Sequence, residues 1–210
     1  MIKIGIKQRL VIVKEVDFGV YLGELGKEEK VLLPKKQVPE NSKIGDTLAV
    51  FIYRDSEDRL IATTREPKMQ LGEIALLAVK EVNQVGAFCD WGLEKDLFVP
   101  YKEQLFTPKI GKSYLVALYV DKSNRLCGTM RVYDFLQDSA PYKKDDMVHG
   151  TVYEVHREIG VFVAIDNKYH GVIPAKEVFG NFVPGDLVEA RVTEVREDGK
   201  LNLSVRKKAY

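Results

Sequence analysis

Three stretches of the chain share one skeleton, and a repeat of this length restricts the fold more than any single motif does. The first reads VKEVDFGVYL, VLLPKKQ, KIGDTLAVFI and DSEDRLIATT. The second reads VKEVNQVGAFC, LFVPYKEQ, KIGKSYLVALYV and DKSNRLCGTM; the third reads VYEVHREIGVFV, GVIPAKEV, VPGDLVEARVTEV and EDGKLNLSV. Gly19 to Pro34 spans 15 residues, against 14 from Gly86 to Pro100 and from Gly160 to Pro174. A glycine follows each proline after 11 residues (Gly45, Gly111, Gly185), and Leu60, Leu126 and Leu201 follow those glycines after 15, 15 and 16. Chance does not hold three intervals within one residue in three copies.

Each copy is about 60 residues long and reads as five short strands, because Val, Ile, Leu, Tyr and Phe alternate with polar residues between Gly, Asn and Asp clusters. The segment after each proline (Lys35–Gln37, Tyr101–Glu103, Ala175–Glu177) loses the alternation and predicts a single helical or 3₁₀ turn. Five strands are too few for an ordinary sandwich, whereas a small closed barrel removes the exposed edges. The expected fold is all-β, with three tandem five-stranded barrels over residues 1–66, 67–140 and 141–210. Barrels this small have marginal cores, so packing between neighbours is expected to help. Only Arg65 to Gln70 separates copies one and two. The longer joint RVYDFLQDSAPYK, Arg131 to Lys143, carries Tyr133, Phe135 and Tyr142, which suit docking onto a barrel better than a free tether.

The third copy resembles the ribosomal S-one RNA-binding domain, a member of the OB-fold group. Val148 to Lys207 follows that pattern: a strand ending in aromatic-type residues around Gly160, a Gly-apolar-apolar strand at Gly171, Gly185-Asp186, and a final Leu-x-Leu-Ser strand. The three-barrel organisation is similar to the conserved virulence factor B family of bacterial proteins. Members of that family carry three such domains and then a winged helix, which has no counterpart within these 210 residues. The resemblance implies RNA binding and a part in gene expression, RNA stability or virulence control.

The residues point to how such binding works. OB-type barrels hold single-stranded RNA on aromatic platforms for bases and cations for the backbone. The family's two aromatics fall on Phe18 and Tyr21 in copy one, around Gly19, a glycine expected to let a base approach the backbone. Copies two and three keep only the second aromatic, Phe88 and Phe162. The family's acid and base fall on Asp55 and Arg59, then on Asp121 and Arg125; copy three has Arg196 for the acid and Lys200 for the base. Where the ribosomal domain has His, all three copies have proline. Lys36, Lys102 and Lys176 stand two residues later, as phosphate contacts or solvated lysines. Lys14 and His156 complete the candidate set. Each aromatic has an alternative use in an inter-domain seam, and each acid–base pair as an exposed hairpin ion pair.

Charge and composition narrow the function classes. Thirty-two Lys and Arg against 31 Asp and Glu give a net charge of +1, and the copies carry +2, −1 and 0. A strongly basic clamp on duplex DNA is therefore not expected, and any salt dependence of RNA binding should be shallow. No apolar run approaches the roughly 18 residues of a membrane span, and the N-terminus lacks a signal-peptide pattern. Two cysteines, Cys89 and Cys127, do not make a disulfide scaffold and read as small buried hydrophobes in a cytoplasmic protein. No C-x-x-C, H-x-x-x-H or Gly-rich phosphate loop appears, so no metal, cofactor, small-molecule substrate or catalysis is expected. The expected partner is single-stranded RNA; the alternative is a scaffold that docks other proteins, since fold alone does not decide function.

Overall fold

A computed structural model describes residues 1–205; residues 206–210, which include Lys207 at the end of the family pattern, lie outside the described residues. Copy one forms β1 (Lys7–Val16), β2 (Gly19–Gly23), β3 (Lys30–Pro34), β4 (Thr47–Arg54) and β5 (Leu60–Thr63). Copy two forms β6 (Ile74–Val82), β7 (Gly86–Asp90), β8 (Leu97–Pro100), β9 (Ser113–Val120) and β10 (Leu126–Thr129). Copy three forms β11 (Met147–His156), β12 (Gly160–Ile165), β13 (Tyr169–Pro174), β14 (Leu187–Val195) and β15 (Leu201–Ser204). The turns expected after the three prolines are single 3₁₀ turns at Lys35–Gln37, Tyr101–Glu103 and Ala175–Glu177.

Copies one and three are closed barrels with one strand order, β1-β2-β3-β5-β4 and β11-β12-β13-β15-β14. Parallel pairing closes them, through Leu32 with Ile61 in the first and Gly171–Val172 with Leu201–Asn202 in the third. Copy two keeps the order, but its ladder runs β10-β9-β6-β7-β8 without that last pairing. Closure rests on one or two residue pairs even where it forms, and β8, at four residues, offers less backbone than β3 or β13. The seam is filled by side chains instead: a Cβ added at Gly128 of β10 would lie 2.9 Å from Val99 and 3.1 Å from Leu97 of β8.

Strand patterning explains how the barrels join. In β4, Val50 and Ile52 enter the core of barrel one while Phe51 and Tyr53 point outward, yet all four are buried. The outward pair belongs to the core of copy two, where Trp91 meets Phe51 edge-on at 5.7 Å and Tyr53 at 6.5 Å. Strand β9 repeats the device: Tyr114, Val116 and Leu118 fill barrel two, and Leu115 and Ala117 face a second seam with Val132, Leu136, Tyr153 and Ala164. Strands buried on both faces lose their polar alternation, which is why TLAVFIYR and SYLVALYV read as apolar runs. Inside the second seam the Tyr153 hydroxyl has no hydrogen-bond partner among the described residues. The joint between copies two and three is docked, with Gln137 bridging to Tyr169 of β13 and a 3₁₀ turn at Val132–Phe135.

Candidate nucleic-acid interface

Strand register places the candidate aromatics at one position in every copy. In barrel one Lys14 stands opposite Tyr21, Tyr21 opposite Leu32, and Leu32 beside Ile61. The matching rows are Glu81, Phe88 and Phe98 in copy two, and Glu154, Phe162, Val172 and Asn202 in copy three. A register shift in β1, β6 and β11, just before Lys14, Glu81 and Glu154, brings these residues into line. The glycine beside each row has a use other than the expected one. A Cβ on Gly19 or Gly160 would fall well under 3.0 Å from the carbonyl oxygen of Leu33 or Ile173. The close approach is therefore made by the barrel's own next strand, and φ values of 152° and 138° reserve both positions for glycine.

Copy one presents the most open row. Phe18 is 56% exposed and meets the half-buried Tyr21 edge-on, with ring centres 6.4 Å apart. Lys30 lies over the Tyr21 ring at 5.6 Å, and exposed Lys14 stands on its other side. Lys30 was not among the residues picked from sequence, although its place two residues before Leu32 on β3 puts it on the same face. Lys36 is turned to another task, an ion pair with Glu94 of copy two at 2.7 Å.

Copy two gains an aromatic that the sequence reading missed. Phe98 on β8 stands opposite Phe88, ring centres 5.2 Å apart, and both are half-buried. The first-aromatic position is Val85, 62% exposed. Lys102 and its third-copy counterpart Lys176 are exposed and form no ion pair among the described residues.

Copy three is covered by the chain itself. Tyr133 of the docked joint meets Phe162 edge-on at 6.2 Å and packs against the buried His170 at 4.5 Å, the two rings tilted by 57°. Its hydroxyl receives a 2.6 Å hydrogen bond from Lys200, and Tyr153 also packs against Phe162, with ring centres 6.0 Å apart. Two of the five candidates in this copy, Phe162 and Lys200, are thus engaged by the docked joint. His156 is exposed and its Nδ1 accepts from the Ile159 amide at 3.3 Å, holding the β11–β12 turn. Arg196 pairs with its hairpin neighbour Asp198 at 2.8 Å.

The acid–base pairs act first on their own hairpins. Asp55 Oδ1 accepts from the amides of Glu57 and Arg59, and Asp121 Oδ1 accepts from those of Ser123 and Arg125. Burial would raise the Asp55 carboxyl, but those amides and the Arg59 guanidinium hold it below the usual range. The Ser123 hydroxyl does most to lower Asp121. Arg59 closes on Asp55 and Glu57, at 3.1 and 2.9 Å. The Arg125 guanidinium, unlike its amide, does not turn to Asp121. It reaches across to copy one and grips Asp58 with Nε at 3.2 Å and Nη2 at 2.9 Å. In return Arg54 Nε donates to the Asn124 carbonyl at 3.0 Å and Lys95 Nζ to the Asp55 carbonyl at 3.1 Å, so the two hairpins clamp together. Cys89 and Cys127 are buried in strands, and burial pushes their thiols up to about 12 and about 11.

Comparison with known proteins agrees with this architecture. Residues 4–65 and 71–131 match the S1 domain model, and residues 134–207 match that of the second domain of virulence regulatory factor CvfB. The chain is 30% identical to Uncharacterized protein YitL of Bacillus subtilis, over 96% of this chain and 70% of that protein. It is 24% identical to conserved virulence factor B of Staphylococcus epidermidis, over 83% of this chain and 62% of that protein. A multidomain protein with nucleic acid binding domains from Streptococcus pneumoniae superposes with a TM-score of 0.64 at 25% identity, covering 99% of this chain and 75% of the other. No helix among the described residues is long and apolar enough to cross a membrane. With all three copies accounted for, the chain belongs to the conserved virulence factor B family of S1-domain proteins.

Proposed function

We propose that this protein binds single-stranded RNA without catalysis, as a cytoplasmic regulator of gene expression or RNA stability. The observation that carries the reading is the row of copy one, where a half-buried Tyr21 lies between Lys14 and Lys30 and an exposed Phe18 meets it edge-on. Flat rings flanked by cations suit a strand that offers bases and phosphates in turn. The Phe88–Phe98 pair supplies a second platform. Family membership supports a nucleic-acid partner, and a role in virulence is taken from the staphylococcal relatives.

The test is titration of labelled short single-stranded RNA at two salt concentrations, with wild type and a Phe18→Ala/Tyr21→Ala variant. Stacking contributes about 1–3 kcal/mol per base, so the variant should lose about 2 kcal/mol or more, roughly thirtyfold in affinity. A net charge of +1 implies few phosphate contacts and a shallow salt slope, each contact adding about −0.7. Equal binding by the two proteins would remove copy one from the site. A protein-docking role has one observation in its favour, confined to copy three: there the aromatic Phe162 already holds a segment of protein.

A further inference from the structure

The hairpins of copies one and two wall a cleft of about 430 Å³, within the range of about 300–1,000 Å³ in which proteins hold small ligands. Copy one contributes Tyr53, Arg54, Ser56 and Asp58; copy two contributes Asp96, Phe98, Asp121 and Arg125 among others, and Trp91 reaches the lining. Phe98 also belongs to the aromatic row, so the cleft opens beside the copy-two stacking platform.

The chemistry of the lining selects its occupant. Its cations, Arg54, Lys95 and Arg125, are already donating to Asn124, Asp55 and Asp58, and three carboxylates balance them. Three cations against three carboxylates leave the lining no net positive charge to draw a phosphate. The carboxylates keep acceptor oxygens to spare. Asp121 Oδ1 takes three donors, while its Oδ2 has only a 3.7 Å contact from the Cys127 thiol. Asp96 gives Oδ1 to Lys80 at 3.3 Å, and its Oδ2 has no hydrogen-bond partner among the described residues. Carboxylates only accept, so the complementary ligand is flat, stacks on Phe98 and carries N–H donors on its edge.

We propose that this inter-copy cleft takes one unpaired, amino-bearing base of the RNA strand that stacks on copy two. Cytosine, adenine and guanine present an exocyclic amino group with two N–H donors; uracil presents a single N3–H between two carbonyl oxygens that would face the carboxylates. The inference rests on the RNA-binding reading and adds a base preference that stacking alone does not supply.

Short oligocytidine and oligouridine isolate the amino group, because the two bases share one ring size. Trp91, the chain's single tryptophan, reports on the cleft by its fluorescence, and anisotropy of labelled strands reports total binding. Oligocytidine should bind about tenfold more tightly than oligouridine and change the Trp91 emission. Asp96→Asn replaces one acceptor oxygen by an amide donor at equal size, and should reverse the preference. Ser56→Leu, at an exposed turn position, narrows the cleft and should abolish the Trp91 change while oligouridine binding persists. Equal affinity for the two strands, or an unchanged preference in Asp96→Asn, overturns the cleft while leaving RNA binding in place. Failure of wild type to bind either strand overturns the RNA reading, and the cleft with it.

Discussion

Trp91 belongs to copy two by sequence, yet its removal should loosen copy one. The side chain is 3% exposed, packs edge-on against Phe51 and Tyr53, and donates Nε1–H to the Lys95 carbonyl at 2.7 Å. Burial of an aromatic of this kind involves about 150–250 Å², the hydrogen bond adds about 1 kcal/mol, and truncation in a core costs about 3–5 kcal/mol in total. Trp91→Ala should therefore lower unfolding stability by that amount, and Trp91→Phe by about 2 kcal/mol. Urea titration followed by far-ultraviolet circular dichroism measures the loss. Hydrogen exchange locates it: if the shared core opens as one unit, amide protection at Val50 to Tyr53 should fall by at least a hundredfold. A loss under 1 kcal/mol in Trp91→Ala, or unchanged protection in β4 with β7 and β9 loosened, would refute a common core.

Other substitutions test other joints. Gly160→Ala should prevent copy three from folding or cost it more than about 2 kcal/mol, since the φ of 138° and the Ile173 carbonyl both reject a Cβ; loss of β12 amide protection would show it. Tyr153→Phe removes a buried hydroxyl without a partner and should raise stability by about 1 kcal/mol in urea; a loss would mean that the hydroxyl is bonded. His170 is buried, and burial, followed by the Lys200 charge, holds its imidazole below the ordinary value of 6.5. The unfolded chain then binds more protons on the acid side, so stability should decline as pH falls below about 6.5. His170→Gln should flatten that slope, and an identical slope in the variant would exclude His170 as its source.

The architecture was legible because each barrel is specified locally. Glycines at 19, 86 and 160, prolines 14 or 15 residues later and two-residue alternation are short-range signals, and they carried the strands and the turns; the strand order came from the structure. The docked joint was also legible, since Tyr133, Phe135 and Tyr142 are poor tether residues. What escaped detection depends on pairs distant in sequence. Arg125 looked like the partner of Asp121, four residues away, but grips Asp58, 67 residues away. Phe98 went unnoticed because its counterparts are Leu32 and Val172, so the repeat gave no cue that the position faces a stacking row. The reach of Phe51 into another barrel was written into the apolar run of β4, but a run alone does not say what covers its second face.

Tyr133 covers Phe162 while joined to the same barrel through the short segment that bridges at Gln137 and Tyr169. A ligand on so short a tether acts at an effective concentration in the millimolar range. Under the proposed function, a base arriving free from solution would have to outcompete it, which a micromolar oligonucleotide should not do. A strand already held on copies one and two is tethered as well, and competes on equal terms if it is long enough to reach. On the proposed RNA-binding function, fragments a few nucleotides long should therefore sample only the first two barrels, with strand length deciding whether the third takes part.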